Sequence, residues 1–322
     1  MIWLHRFAKL VVVATLALLT AGGLVTSTGS GLSVPDWPTT YGSSMFTFPV
    51  SRWVGGIFYE HGHRLIASTV GLLTLALAAW LWRRDSRFWV KALGFVALAA
   101  IVAQGIVGGL TVLLLLPAPV SVGHAGLAQV FFALTVALAL ATSPGWVRGY
   151  DGAAAVSAAR DGALRRLLIA TPIIVYTQIL LGATMRHTGA GLAIPDFPLA
   201  FGQLIPLSRL SDPGVAVHFT HRVVALVVAG FAFASAWWVW SRHRTARYLI
   251  RPALLAVLLV LVQIALGVST VLTGRDIVVN TAHLAVGALT FATTVVLAMR
   301  AHRAAAAIPL VAPVPAAEGA RG

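Results

Sequence analysis

Eight long apolar runs dominate this chain of 322 residues. About 20 consecutive apolar residues are enough for a helix to cross the hydrocarbon core of a bilayer. The sequence therefore predicts an all-α polytopic membrane protein with eight transmembrane helices. The predicted helices cover approximately residues 7–27, 57–82, 89–114, 121–143, 165–186, 216–240, 252–273 and 277–300.

The composition supports a membrane protein and excludes other classes. Hydrophobic residues make up 59% of the chain and charged residues 10%, whereas soluble domains carry about 25% charged residues. A disordered chain, a disulfide scaffold and a soluble nucleotide-binding enzyme all fit poorly. The chain has no cysteine, which excludes disulfides, thiolate metal sites and cysteine-attached haem. The net charge of +14 indicates contact with the anionic inner face of a lipid bilayer, and not with nucleic acid.

Lysine and arginine are distributed unequally between the two ends of the predicted helices. Seventeen of these 23 residues flank one set of ends and six flank the other. The positive-inside rule places the richer set, together with both termini, in the cytoplasm. We expect an N-terminal four-helix bundle at 1–143, a cytoplasmic linker at 144–164, a C-terminal four-helix bundle at 165–303 and a disordered tail at 304–322.

The two predicted bundles repeat each other in sequence. The segment GLSVPDWP at 31–38 returns as GLAIPDFP at 191–198, and other positions recur at offsets of 158 to 160 residues. These positions are His63-Arg64 with His221-Arg222, Gln104 with Gln263, and His124 with His283. Because each half crosses the membrane an even number of times, the halves share one orientation. We therefore expect a pseudo-twofold axis along the membrane normal.

Four histidines lie near the outer ends of the even-numbered spans, namely His63 and His124 in the first half and His221 and His283 in the second. A single intramembrane histidine is as easily a hydrogen-bonding residue as a ligand, but four positions related by a repeat favour ligation. Zinc sites usually add carboxylates or cysteines and keep their ligands close together in sequence. Two imidazoles on facing helices can instead hold a haem iron from both sides. The sequence thus predicts one bis-histidine haem site per half, toward the outer face.

An arginine follows one histidine in each half, Arg64 after His63 and Arg222 after His221. A guanidinium at the outer surface suits bidentate contact with a haem propionate. Contact with lipid headgroups is an equally good interpretation. The outer loops at 28–55 and 187–215 are rich in Gly, Pro and aromatic residues, which favours lids over the two sites. Asp36 and Asp196 in these loops are expected to be turn residues.

Glu60 is the only acidic residue within a predicted span, and it stands three residues before His63. The matching position before His221 is His218. The spacing of three places Glu60 and His63 on one helix face. A carboxyl group near a dry interior can exchange a proton or stabilise a positive centre. The alternative is a helix-dipole partner in headgroup water. The asymmetry favours a permanent cofactor in one half and a substrate in the other.

The combined motifs resemble the haem A synthases of bacterial respiratory membranes over all eight spans. The residues that carry the resemblance are 29–38, Glu60-His61-Gly62-His63-Arg64, Gln104 with the glycines that follow it, and the copies in the second half. The resemblance implies an enzyme of the bacterial cytoplasmic membrane that oxidises the C8 methyl group of haem O to the formyl group of haem A. It implies haem b on His221 and His283, haem O on His63 and His124, and Glu60 as the catalytic glutamate. The implied partners are a farnesyltransferase that supplies haem O and the terminal oxidase under assembly.

One departure from the family pattern and two other functions bear on this interpretation. Several members carry a cysteine pair around the first PDWP motif, where Val34 and Thr40 stand here, so a redox role for that pair cannot apply. A bis-histidine b-type cytochrome that oxidises quinol would explain the histidines but not the exchange of Glu60 for His218. A transporter would place its histidines near the midplane and not at one outer depth.

Overall fold

The computed structural model describes residues 2–150, 157–158 and 160–305. Within these residues, eight helices are long and apolar enough to cross a membrane, which confirms the predicted fold class. They are α1 Ile2–Ser27, α2 Gly56–Arg84, α3 Phe88–Leu113, α4 Ala118–Ala141, α5 Gly162–His187, α6 Pro213–Arg242, α7 Arg247–Leu272 and α8 Ile277–Ala305. The helices extend up to five residues beyond the predicted limits, because flanking basic residues such as Arg6 and Arg251 continue the helix.

Aspartates begin the first two helices of the second half. The carboxylate of Asp161 accepts the N–H of Leu164 at the start of α5, and Asp212 caps α6, whose first residue is Pro213. An N-cap carboxylate satisfies N–H groups that have no partner within the helix, and proline suits the first helical position. The second bundle therefore begins at Gly162, within the segment predicted as linker.

The predicted linker and tail are described only in part. A short helix spans Pro144–Arg148 in the linker, whereas residues 151–156 and 159 lie outside the described residues. Residues 304 and 305, predicted as the start of the tail, are instead the last residues of α8, because the helix continues past its basic residues His302 and Arg303. The remaining tail, 306–322, also lies outside the described residues.

Each half is a four-helix bundle with the same set of neighbours. In the first half α1 packs on α2, α2 on α3, α3 on α4 and α4 on α1, and the second half repeats this order with α5 to α8. The halves meet through α1, α4, α5 and α8. This arrangement is consistent with the predicted pseudo-twofold relation, in which α1 corresponds to α5 and α4 to α8. One helix pair from each half therefore forms the wall between the two bundles.

Apolar side chains fill each bundle at the end that carries the chain termini. In the first half the buried residues include Leu4, Leu81 and Leu138, and in the second half they include Leu164 and Leu249. All of them lie at the helix ends opposite the predicted histidine sites. Large apolar side chains on the outer faces remain exposed in the described chain, as expected for a surface in contact with lipid. The histidine sites therefore rest on a packed apolar base.

The repeated PDWP and PDFP motifs form the same turn in the loops at 28–55 and 187–215. The Asp36 carboxylate accepts the N–H groups of Tyr41 at 2.7 Å and Gly42 at 2.8 Å. Asp196 accepts those of Phe201 and Gly202 at the same two distances. Both aspartates are thus turn residues, as the sequence predicts.

Hydrogen bonding sets the acidity of both turn aspartates. Burial acts to raise the pKa of Asp36, but hydrogen bonds from Gly42, Thr39 and Tyr41 outweigh it and hold the pKa below its usual value. The pKa of Asp196 is lowered by the N–H groups of Gly202 and Phe201. Both carboxylates are therefore stabilised in the ionised form by their own loops.

Candidate functional site

Each of the four predicted ligand histidines lies against a glycine of the preceding helix. A Cβ added to the glycine would lie 2.9–3.2 Å from the Cε1 atom of the imidazole, closer than ordinary van der Waals contact. The pairs are Gly22 with His63, Gly108 with His124, Gly182 with His221 and Gly267 with His283. Only glycine allows this approach of a ring to a helix backbone. The same cradle thus occurs four times, once in each pair of consecutive spanning helices.

The imidazoles of each half are positioned to act as a pair. His63 lies within electrostatic reach of His124, and His221 of His283. The Nδ1 atoms of all four are buried, and each imidazole lies beside the backbone carbonyl oxygen of the residue four positions before its glycine, namely Leu18, Gln104, Gln178 or Gln263. A carbonyl that accepts one ring N–H fixes the orientation of the imidazole, and this contact, repeated four times, is typical of histidines whose other nitrogen binds a metal. In the described part of the chain, no three His, Cys, Asp or Glu residues cluster closely enough to hold a metal ion by themselves. Paired imidazoles fit a haem iron, whose other ligands come from the porphyrin.

Glutamine amides contact three of these four histidines across helix pairs. The Gln104 amide donates to the carbonyl oxygen of His124 at 2.9 Å, and the Gln178 amide donates to that of His221 at the same distance. The amide nitrogens lie 3.2–3.5 Å from the Nε2 atoms of the imidazoles in the pairs Gln104–His124, Gln178–His221 and Gln263–His283. These contacts tie each histidine to the helix that cradles it.

The exception is His63. Gln178 corresponds to Leu18 in the first half, at the same offset of 160 residues as the loop motif. His63 is therefore the one histidine of the four without an amide contact from the helix that cradles it. The sequence comparison did not find Gln178, because a search for repeated polar residues passes over a position that is Leu in the other copy.

Glu60 is buried in an ion pair near the start of α2. Glu60 is only 3% exposed. Oε1 accepts the Nη2–H of Arg64 at 2.7 Å, and Oε2 accepts the N–H of Val34 at 2.8 Å. Glu60 therefore joins α2 to the loop at 28–55 and does not lie in headgroup water. Its place on the helix, one turn before Arg64 and three residues before His63, is the one that the sequence predicts.

The Arg64 guanidinium is held by the same loop. Its terminal N–H groups donate to the carbonyl oxygens of Val34, Asp36 and Thr39 at 2.7–3.0 Å, in addition to Glu60. These contacts hold the PDWP loop over α2. Whether Arg64 contacts a propionate stays a prediction. We refer to Glu60, Arg64 and the loop carbonyls as the first-half clamp.

The second half has a matching clamp in which an imidazole replaces the carboxylate. The Nε–H of Arg222 donates to His218 Nε2 at 3.2 Å, and the N–H of Ile194 points at His218 Nδ1 at 3.3 Å. The guanidinium also donates to the carbonyl oxygens of Ile194 and Leu199. A neutral imidazole has one acceptor nitrogen and cannot accept both N–H groups, whereas a carboxylate can. The first-half clamp is consequently the stronger one.

Comparison with known proteins agrees with this geometry. The sequence profile of the cytochrome oxidase assembly proteins, COX15-CtaA, matches residues 5–295. This chain belongs to that family. The matched residues of the COX15-CtaA family contain Glu60, the four histidines and both clamps.

Relatives within the COX15-CtaA family cover nearly the whole chain. The heme A synthase of Halalkalibacterium halodurans is 30% identical over 296 residues, which are 90% of this chain and 95% of the relative. That of Alkalihalophilus pseudofirmus is 31% identical over 286 residues, with 87% and 92% covered. That of Rhizorhabdus wittichii is 30% identical over an aligned length of 329 positions, with 90% of this chain and 91% of the relative covered. The resemblance read from the motifs is confirmed.

Proposed function

We propose that this chain is a haem A synthase, an oxidoreductase that converts the C8 methyl group of haem O to the formyl group of haem A. The observation that carries this proposal is the pair of repeated histidine sites, of which only one has a carboxylate, Glu60, in its clamp. The names of the relatives and the match to the assembly family support the same activity. A purely electron-transferring cytochrome would give no reason for this difference between the halves.

We assign the haem b cofactor to His221 and His283 of the second half. The glycine cradles, which hold both imidazoles at related positions, support the assignment of these two residues as the ones that would hold the haem iron. When bound, haem b supplies one-electron redox chemistry at this site. The amide groups of Gln178 and Gln263 contact the Nε2 atoms of both imidazoles. Two tethered ligands suit a cofactor that stays in place through many turnovers.

We assign the substrate haem O to His63 and His124 of the first half. Conversion of a methyl group to a formyl group removes four electrons and adds one oxygen atom, so the substrate must enter and the product must leave. His63 lacks the amide tether, which suits a ligand that binds and releases. The isoprenoid tail of haem O can enter from lipid without passing through water.

Glu60 is the residue to which we assign the acid–base role in the first half. It is the only carboxylate of the described helix interiors near a histidine pair, and His218 replaces it in the second half. Arg64 fixes the carboxylate by its 2.7 Å contact, and the Val34 N–H fixes the second oxygen. The clamp holds the acidic group and the loop in one unit.

The topology completes the proposal. We place the chain in the bacterial cytoplasmic membrane with both termini in the cytoplasm and both haem sites toward the outer face, on the basis of its arginine and lysine distribution. A farnesyltransferase would supply haem O, and the product would pass to a terminal oxidase during its assembly.

Extraction of haems from membranes that express this chain tests the function. With a haem O supply, chromatography should show haem A, together with one tightly held haem b per chain. Without that supply, haem b should remain and haem A should be absent. A protein with two b-type haems per chain and a constant spectrum under both conditions would contradict the proposal and support the quinol-oxidising cytochrome.

A further inference from the structure

Arg186 is a cation at the boundary between the two halves, and it is not part of either clamp. It lies at the outer end of α5, one helical turn after Gly182, which cradles His221. Its Nη2–H donates to the Gly23 carbonyl oxygen at 2.9 Å and to Ser27 Oγ at 2.6 Å, both on α1. Asn280 and Thr281 of α8 contact the same hydroxyl. Three helices thus fix the position of this guanidinium.

A second cation, Arg275, lies beside Arg186 in the turn between α7 and α8. The two guanidiniums are close enough to repel each other. Among the described residues, no carboxylate forms an ion pair with either of them. The neighbouring Asp276 accepts the N–H groups of Val278 and Val279 at the start of α8. Two adjacent cations without a counter-ion form a site for an anion.

The first half has no such cations at the corresponding positions. Arg186 corresponds to Thr26, and Arg275 corresponds to Leu116, at offsets of 160 and 159 residues. The correspondence also holds in the fold. Leu116 and Arg275 both have positive φ angles, 60° and 68°, and they pack on the equivalent glycines Gly31 and Gly191. The second half therefore carries a cationic pair where the first half is neutral.

The pair lies next to the proposed haem b site. Arg186 is within electrostatic reach of His283, and Gly182 on the same face of α5 contacts His221. The Arg222 guanidinium, which the sequence predicts as a propionate ligand, already donates to His218, Ile194 and Leu199. Arg186 and Arg275 differ from Arg222 because they lie beside each other, and the contacts of Arg186 are with neutral groups.

We propose that Arg186 and Arg275 form a carboxylate-binding site for a propionate of the haem held by His221 and His283. This inference rests on the proposed function. A charge-assisted pair anchors the haem of the second half, and Thr26 and Leu116 leave the haem of the first half without that anchor. The two halves differ in this way because one retains its porphyrin and the other exchanges it.

The test compares protohaem with its dimethyl ester, in which both propionates are blocked. Each is titrated into the full chain purified from a haem-deficient host. A His124→Ala background is used, so that a bis-histidine spectrum reports the second half alone. The parent, which is the chain with His124→Ala alone, should bind protohaem about tenfold to a hundredfold more tightly than the ester. Arg186→Thr and Arg275→Leu, which install the residues of the first half, should bind both porphyrins with the affinity of the parent for the ester.

Arg209→Gln is the matched control, because it removes one cation from an outer loop where the guanidinium lies on the Phe201 ring. It should keep the full preference for protohaem. Arg275 is exposed, so its variant keeps the test valid if Arg186→Thr unfolds. Equal affinity of the parent for both porphyrins would overturn the proposal, as would loss of the preference in Arg222→Gln but not in the two variants.

Two further outcomes separate this proposal from its alternatives. Absence of any bis-histidine spectrum in the parent background would overturn the assignment of haem to the second half, and with it the proposed function. If the variants keep the preference for protohaem but lose stabilisation by phosphatidylglycerol vesicles, the cations bind a lipid headgroup, and the propionate site is refuted.

Discussion

Glu60 and His218 occupy the same position in the two repeats, and each accepts a hydrogen bond from the arginine that follows four residues later. Each also faces the N–H of the residue before the first proline of its loop motif, Val34 or Ile194. The two halves therefore share one clamp geometry, and only one of them places a carboxylate in it. This difference can be tested by exchanging the residues.

We predict that Glu60→Ala abolishes conversion of haem O while leaving haem b bound, since the second half is unchanged. Removing one partner of a buried ion pair should also lower stability by about 3 kcal/mol. Haem A formation is measured by chromatography, and haem b by its reduced-minus-oxidised spectrum. Glu60→His supplies the residue of the second half as a matched control. It should retain more stability than Glu60→Ala but still fail to form haem A. Normal haem A formation by either variant would refute the role of Glu60.

The glycine cradles predict that a single added methyl group disturbs the histidine site of the second half. Gly182→Ala and Gly267→Ala should displace His221 or His283 and reduce haem b content severalfold, because the added Cβ would lie 3.1–3.2 Å from Cε1. Gly230→Ala, on α6 with no atom within 4 Å of the added Cβ, should keep normal haem b. Spectra of purified protein measure both. Full haem b content in Gly182→Ala and Gly267→Ala would show that the cradle does not position the ligands.

The amide tethers predict that haem retention can be changed in either direction. Gln178→Leu, which copies Leu18, should accelerate transfer of haem b to an excess of apomyoglobin by roughly tenfold, the effect of about one lost hydrogen bond. Leu18→Gln should slow release of the porphyrin from the first half and lower turnover without loss of haem b. Unchanged transfer rates in Gln178→Leu would mean that the amide contributes nothing to retention.

The outer loops should lose stability in acid. The pKa of Asp36 and that of Asp196 are lowered in the folded protein, so both aspartates stabilise the folded loops above the ordinary aspartate pKa of about 3.9. That contribution is lost as the pH falls below this value toward the folded-state pKa. Limited proteolysis of the loops measures the effect from about pH 5 to about pH 3, a range that brackets the ordinary aspartate pKa. Asp196→Asn should weaken the pH dependence. Equal resistance of the loops to proteolysis across this pH range would contradict the prediction.

The sequence was sufficient for the features that depend on apolar length and on repetition. The eight helices follow from the length of their apolar runs, and the positions of His63, His124, His221 and His283 follow from the repeat. The correspondence of Glu60 with His218 is also visible in the sequence. The contacts of Glu60 are not, because the Val34 N–H reaches it only through the path of a folded loop.

Other site residues were hidden for different reasons. The chain contains 30 glycines, so composition cannot distinguish Gly182, which cradles His221, from Gly230, where an added Cβ would meet no atom within 4 Å. Gln178 was hidden because its counterpart is Leu18. Arg186 was counted among the outer basic residues, and only the packing of α1, α5 and α8 shows that it lies between the halves.

Gly22 and Gly23 are consecutive residues of α1 that contact different halves of the molecule. The first receives the His63 ring, and the carbonyl oxygen of the second accepts the guanidinium of Arg186. Adjacent Cα atoms are about 3.8 Å apart, so a single peptide unit connects the two duplicated bundles at this depth. Neither bundle can widen here to admit a large ligand without moving backbone that also contacts the other bundle. The two repeated bundles thus share one wall, and a substitution at Gly22 or Gly23 is expected to disturb both of them.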